Sequence, residues 1–139
     1  MVSIRPAQAS DLPAVSALDL RLTGSNKPDY WQAMLGPDRH FLVAETEKRS
    51  LAGFIAGEVR AWEFGQPAAG WVFAIQIEPR LRLKGVGTAL FEALVARFKA
   101  EGVTRVRTLV DRKDHLILSF FRAQGMVAGP SLQLDMDLS

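Results

Sequence analysis

Three basic side chains, Arg80, Arg82 and Lys84, crowd beside the glycines Gly85 and Gly87 in the stretch Ile75-Gln76-Ile77-Glu78-Pro79-Arg80-Leu81-Arg82-Leu83-Lys84-Gly85-Val86-Gly87-Thr88. Glycine has no Cβ, so a bulky anion can approach its backbone closely. The first amides of a helix lack internal partners and carry the positive end of the helix dipole. A helix starting here would therefore offer a phosphate site, with Arg82 and Lys84 adding full charges. Two familiar phosphate loops do not fit. A nucleotide P-loop ends in Gly-Lys-Ser/Thr, whereas Gly87 is followed by Thr88 and Ala89; a dinucleotide fingerprint needs a third glycine where Leu90 stands. Taken alone, the same residues also read as a tight turn with solvated bases.

Other chemistry is thinly represented. There is no cysteine, which removes disulfides, thiolate metal sites and a cysteine nucleophile. His40 and His115 are the only histidines, far apart and without metal-ligand spacing, so no metal site is expected. The 17 basic residues against 15 acidic ones leave a formal charge of +2, too small to predict nucleic-acid binding. A second basic cluster, Arg105, Arg107, Arg112 and Lys113, reads as a solvated face.

The elements that must position the glycine turn follow from periodicity. Val2 to Arg5 is predicted as a strand, followed by a helix capped by Ser10 or Asp11, with Pro13 in its first turn and Leu12, Val15, Leu18 and Leu22 on one stripe. Pro28 starts a second helix, with Tyr30, Trp31, Met34 and Leu35, that Gly36-Pro37 stops. His40 to Glu45 and Leu51 to Trp62 read as strands joined by the hairpin Thr46 to Ser50, and Gln66 to Gly70 as a turn. Trp71 to Ile77 is apolar nearly throughout, which predicts a strand buried on both faces. From Gly85 to Glu101 the period becomes helical, with Val86, Ala89, Leu90, Ala93, Leu94 and Phe98 inward and Gly102 as the stop. Arg105 to Val110 is predicted as a strand and Asp114 to Gln124 as a helix with Ile117, Phe120 and Phe121 inward and Gly125 as its left-handed cap. Gln133 to Leu138 alternates and is predicted as a final strand.

At 139 residues, with 48% apolar and 23% charged composition, the chain reads as one globular domain over residues 1–139. No apolar run nears the roughly 20 residues of a membrane helix, and the start MVSIRPAQ lacks a signal-peptide centre. The expectation is a soluble, cytoplasmic protein that binds neither nucleic acid nor membrane. The order of elements predicts a mixed α/β (α+β) sheet with helices on it.

The pattern Arg82-x-x-Gly85-x-Gly87 at a strand-to-helix turn resembles the acyl-CoA pyrophosphate loop of the GNAT superfamily of N-acetyltransferases. The likeness extends to Ile4-Arg5-Pro6-Ala7 with Asp11, to Gly53-Phe54-Ile55-Ala56-Gly57, and to Phe120-Phe121-Arg122-Ala123-Gln124-Gly125-Met126. It implies a single-domain fold with a central, mostly antiparallel sheet, splayed between the fourth and fifth strands and flanked by helices. It also implies acetyl-CoA as co-substrate: the backbone of Ile75, Gln76 and Ile77 pairs with the pantetheine arm. The amides of Leu83, Lys84, Gly85, Val86, Gly87 and Thr88, from Lys84 onward above all, with the side chains of Arg82 and Arg80, hold the pyrophosphate. Asp114 stands where an asparagine often contacts pantetheine, and Phe121 lines the same site.

The resemblance further implies direct attack of an amine on the thioester, with acceptors ranging from protein amines to small molecules and a homodimer left open. A lysine-like amine of pKa about 10.4 pays about 4.6 kcal/mol to be neutral at pH 7, so a base, a water chain or desolvation has to supply that form. A strand amide near Ile77 would face the oxyanion. The usual acid and bases are absent by position. A tyrosine in the late helix is here Phe121, and glutamates on the fourth and fifth strands are here Trp71 and Leu109. By element, Glu58 and Asp111 reach toward the cleft, though each also reads as a surface carboxylate. Tyr30, the single tyrosine, lies in the region that often lines the acceptor site, as does the loop Glu63 to Gly70. The catalytic residues thus stay unassigned. The leading reading is an N-acetyltransferase; its competitors are a non-catalytic acyl-CoA sensor and a basic module using Arg80, Arg82 and Lys84.

Overall fold

The computed structural model describes residues 1–61 and 63–139. Its strands are β1 (Val2–Pro6), β2 (Arg39–Thr46), β3 (Leu51–Arg60), β4 (Ala69–Ile77) and β5 (Val106–Thr108). They form one sheet in the order β1-β2-β3-β4-β5, antiparallel throughout except for the parallel pair β4–β5. The helices are α1 (Leu12–Thr23), α2 (Pro28–Ala33), α3 (Val86–Ala100) and α4 (His115–Ala123). Two compact units divide the chain, residues 1–109 and 110–139.

In the first unit both faces of the sheet are covered, as the alternation of its strands requires. Phe41, Val43, Phe54 and Ala56 pack with Val15 and Leu18 of α1 and with Trp31 of α2 and Met34 beyond it. The rings of Trp31 and Phe54 meet edge-on at 4.9 Å, which adds roughly 0.5–1.5 kcal/mol beyond area burial. The adjacent side chains point the other way, toward α3, whose Phe98 lies against Gly57 and Gly70. A Cβ at Gly70 would collide with that ring, so glycine here is a packing requirement of the helix–sheet contact.

Local capping agrees with the spacing. Asp11 is the N-cap position of α1, but its carboxylate accepts from Arg5 and the Gln8 amide instead of from α1. Pro28 opens α2, and Gly102 and Gly125 lie at φ +84° and +97° after α3 and α4. The hairpin turn closes with Thr46 N–H on the Ser50 carbonyl at 2.9 Å. Trp62, which the sequence puts at the end of the third strand, lies outside the described residues.

Four expectations are corrected. β4 starts at Ala69, so Ala69 and Gly70 belong to the strand and not to the preceding turn. Only Ala69, Gly70 and Val72 of it are buried; Trp71 is half-exposed, and so is the stretch from Phe73 to Ile77, where β5 no longer pairs. β5 spans Val106–Thr108, three residues and not six, and Leu109 is exposed. Gln133 to Leu138 forms no strand: Leu134, Met136 and Leu138 are exposed, and alternation without a sheet edge to pair with does not hold a strand.

The second unit holds α4. Its N-cap Asp114 accepts from the Ile117 amide at 3.1 Å, and Phe121 packs edge-on to Phe120 at 5.3 Å between ring centres.

Candidate functional site

Two irregularities in β4 create the site. Ala56 pairs with Ala74 while Gly57 pairs with Val72, so Phe73 is an extra residue that bulges out of the ladder with β3. On its other edge β4 pairs with β5 only from Gly70 to Val72. Beyond Val72 the two strands part, and the edge of Phe73 to Ile77 faces no neighbouring strand among the described residues. Backbone groups there have the geometry to accept an added extended chain.

That open edge runs straight into the glycine turn. Glu78 donates its amide to the Ala52 carbonyl at 2.8 Å, fixing the end of the strand. Its carboxylate accepts from both terminal nitrogens of Arg21 at 2.9 and 3.2 Å, which holds it below the usual carboxylate range and neutralises the nearest negative charge. A short turn, Pro79–Leu81, follows, and then Leu83 at φ +65° and Gly85 at φ +81° bring the chain to the first residue of α3. A Cβ at Gly85 would meet nothing within 4 Å, so its glycine answers to the left-handed backbone and open space lies beside it. Arg80, Arg82, Leu83 and Lys84 are exposed around this turn, and helix geometry leaves the amides of Val86 and Gly87 without intrahelical partners.

Gln76 links the open edge to the interior. Its amide nitrogen donates to Asp19 Oδ1 at 2.8 Å, and its Oε1 is buried without a hydrogen-bond partner among the described residues. Asp19, 1% exposed, also accepts from Lys27 Nζ at 2.7 Å and from the Trp31 indole at 3.1 Å. Burial pushes its carboxyl up, but the hydrogen bonds from Lys27, Gln76 and Trp31 together outweigh that and hold it below the ordinary value. Sequence reasoning missed Asp19, although a signal was present: it lies four residues after Val15, on the apolar stripe of α1.

On the same side of the sheet, residues paired across strands form a row. Arg39 is opposite Glu58, Glu58 opposite Trp71, and Trp71 opposite Arg107. Arg39 Nε lies 3.5 Å from Glu58 Oε2, and the Arg60 guanidinium sits 5.2 Å from the centre of the Trp71 ring. Tyr30, from α2, is exposed along much of its side chain; desolvation pushes its hydroxyl up, Arg39 pulls it down, and Asp19 and Glu58 add to the rise. The opposite side of the sheet is closed here by Phe98 against Gly57 and Gly70.

Of the site residues expected from the sequence, Ile75 to Thr88 run along this edge and turn, and Glu58, on β3, pairs with Trp71; all belong to the first unit. Asp111, Asp114 and Phe121 belong to the second unit. Asp111 accepts from the Lys113 amide at 2.8 Å within that unit. Trp31 is buried in the core. His40 pairs with Glu101 at the end of α3, on the side of the sheet away from Glu58. Among the described residues no group of three or more His, Asp or Glu side chains has a metal-holding arrangement, and no helix is long and apolar enough to cross a membrane.

Comparisons with known proteins add the family. The model of the acetyltransferase (GNAT) family matches residues 7–126, a stretch that runs through both units. An L-2,4-diaminobutyric acid acetyltransferase of Nocardia farcinica is 30% identical over 91 residues, which are 66% of this chain and 45% of that protein. The chain thus spans less than half the length of that curated relative. Among solved structures, an aminoglycoside 6'-N-acetyltransferase from Acinetobacter baumannii matches with a TM-score of 0.86 at 16% identity, covering 100% of both chains. An aminoglycoside N-acetyltransferase in complex with CoA matches with a TM-score of 0.86 at 14% identity, over 100% of this chain and 96% of that one. At such identities the likeness is one of fold.

Proposed function

The chain belongs to the GNAT acetyltransferase family, and from that premise we propose that it transfers an acetyl group from acetyl-CoA to a primary amine by direct attack in a ternary complex, both units acting as one domain. The observation that carries the reading is the unpaired edge of β4 leading without interruption into the open turn at Gly85. A pantetheine arm has the extended amide chemistry to pair with Ile75 to Ile77. A pyrophosphate fits the turn: the amides from Leu83 to Thr88 would hold it, with Arg82 and Lys84 supplying charge. Among the described side chains no carboxylate but Glu78 stands at that turn, and Arg21 occupies it.

Acetyl-CoA supplies an activated acyl group on a thiol that leaves readily. The chain's own residues do the rest. Glu58, beside the bulge, takes the proton from the incoming ammonium directly or through water; the amine nitrogen then bonds to the acetyl carbon and the carbon–sulfur bond breaks. CoA departs as a thiol after protonation, and one proton is released overall. Backbone amides at the bulge, where the ladder with β3 shifts register, face the carbonyl oxygen on which charge gathers. The relatives named above act on a diamino acid and on aminoglycosides, and both are amines.

Purified protein incubated with acetyl-CoA and a panel of amines should release free CoA; no turnover with any acceptor overturns the enzymatic reading. Gly87→Glu places a carboxylate against the phosphate site while leaving a residue that a helix first turn favours. It should weaken acetyl-CoA binding about 100-fold by calorimetry, about 2.7 kcal/mol. Unchanged affinity in the folded variant would contradict the placement. Phe121, Trp71 and Leu109, standing where relatives of this kind carry tyrosine and glutamates, favour a second reading, an acyl-CoA sensor. Tight binding without turnover is its signature.

A further inference from the structure

The row Arg39, Glu58, Trp71 and Arg107 crosses four strands on the side of the sheet opposite Phe98. Its charges are unbalanced. Glu58 has Arg39 at 3.5 Å, and the deeper Asp19 has Lys27 at 2.7 Å, so each acid on this side already has its own cation. Arg107 is different. It is half-buried, it stands one register pair from the point where β4 and β5 part, and its side chain makes no ion pair or hydrogen bond among the described residues. A partly desolvated guanidinium is costly without a counter-charge, and its planar fork matches a carboxylate. Trp71 stands between it and Glu58 in the register, with the Arg60 guanidinium 5.2 Å from its ring centre as a further cation of this side.

Resting on the acetyltransferase reading, we infer that the acceptor is an amine that also carries a carboxylate, an amino acid or a chain ending like one, with the carboxylate seated on Arg107 and the reacting amine toward Glu58. This arrangement disfavours polycationic acceptors, which would set positive charge against Arg107. The inference therefore separates this chain from the aminoglycoside enzymes whose fold it shares.

The test uses a matched pair of acceptors, 2,4-diaminobutyrate and 1,3-diaminopropane, which differ only by the carboxylate. With the full chain and saturating acetyl-CoA, kcat/KM should favour the diamino acid by about 10- to 100-fold, mostly through KM, as a bidentate charged pair would give. Arg107→Gln should bring that ratio close to one, and Arg107→Lys should restore part of it. Equal kcat/KM for the two acceptors overturns the inference, as does an Arg107→Gln variant that keeps the preference or that loses acetyl-CoA affinity instead. A C-terminally amidated dipeptide against its free acid, each with an amine side chain, distinguishes a peptide terminus from a free amino acid. Calorimetric titration of both diamines into the CoA complex reads the same discrimination without turnover. Failure of the acetyltransferase reading is separately visible, since then neither acetyl-CoA binding nor CoA release with any amine is seen.

Discussion

Two carboxylates on the same side of the sheet have opposite fates. Asp19, on the inner side of α1, is sealed from solvent and accepts hydrogen bonds from Lys27, Trp31, Gln76 and, at 3.4 Å, the Thr23 hydroxyl. Glu58, on β3, is half-exposed, with Arg39 at 3.5 Å as its described contact. The acid with every oxygen occupied has no lone pair left for a substrate proton and serves to tie two helices to β4. The acid with a vacant side and a path to solvent is the one that can exchange protons. Burial alone would single out Asp19 as the functional group; the inventory of hydrogen bonds points to Glu58.

The largest effect separating them is on stability. Asp19→Ala strands the Trp31 indole and the Gln76 amide in the core and leaves the partly exposed Lys27 unpaired, so unfolding in urea should come about 2–4 kcal/mol easier. A loss below 1 kcal/mol would show that water replaces the carboxylate and would erase the contrast. Glu58→Gln should do the reverse: kcat/KM for amine acetylation falls about 100-fold, while the urea midpoint moves by less than about 1 kcal/mol. Normal turnover in that variant would remove Glu58 from the proton path. The smallest effect is in pH. The folded-state carboxyl of Asp19 is held below its unfolded value, so its contribution is present above about pH 4 and is lost as pH falls through the lower, folded value. The stability gap between the wild type and Asp19→Asn should accordingly be widest near neutrality and narrow in acid. A gap that is flat with pH would mean that the carboxyl is uncharged in the fold.

Local patterns made most of the framework readable. The stripe of α3, the glycines Gly102 and Gly125 past helix ends, Pro28 at a helix start and the Arg82-x-x-Gly85-x-Gly87 turn each depend on neighbours within a few residues. The failures were non-local. Gln133 to Leu138 alternates as a strand does, yet alternation says nothing about whether an edge is there to receive it. Trp71 to Ile77 looked buried on both faces because its residues are apolar, whereas its second half loses β5 as a neighbour.

The candidate site divides in the same way. Chain order alone placed basic residues and glycines at the start of a helix after a strand, because a helix terminus and a positive-φ turn are properties of consecutive residues. The bulge at Phe73, the occupation of Asp19 and the row that brings Arg39, Glu58, Trp71 and Arg107 together came only with the fold. Strand register joins residues nearly 70 positions apart, and a one-residue slip would have turned the whole row to the other face.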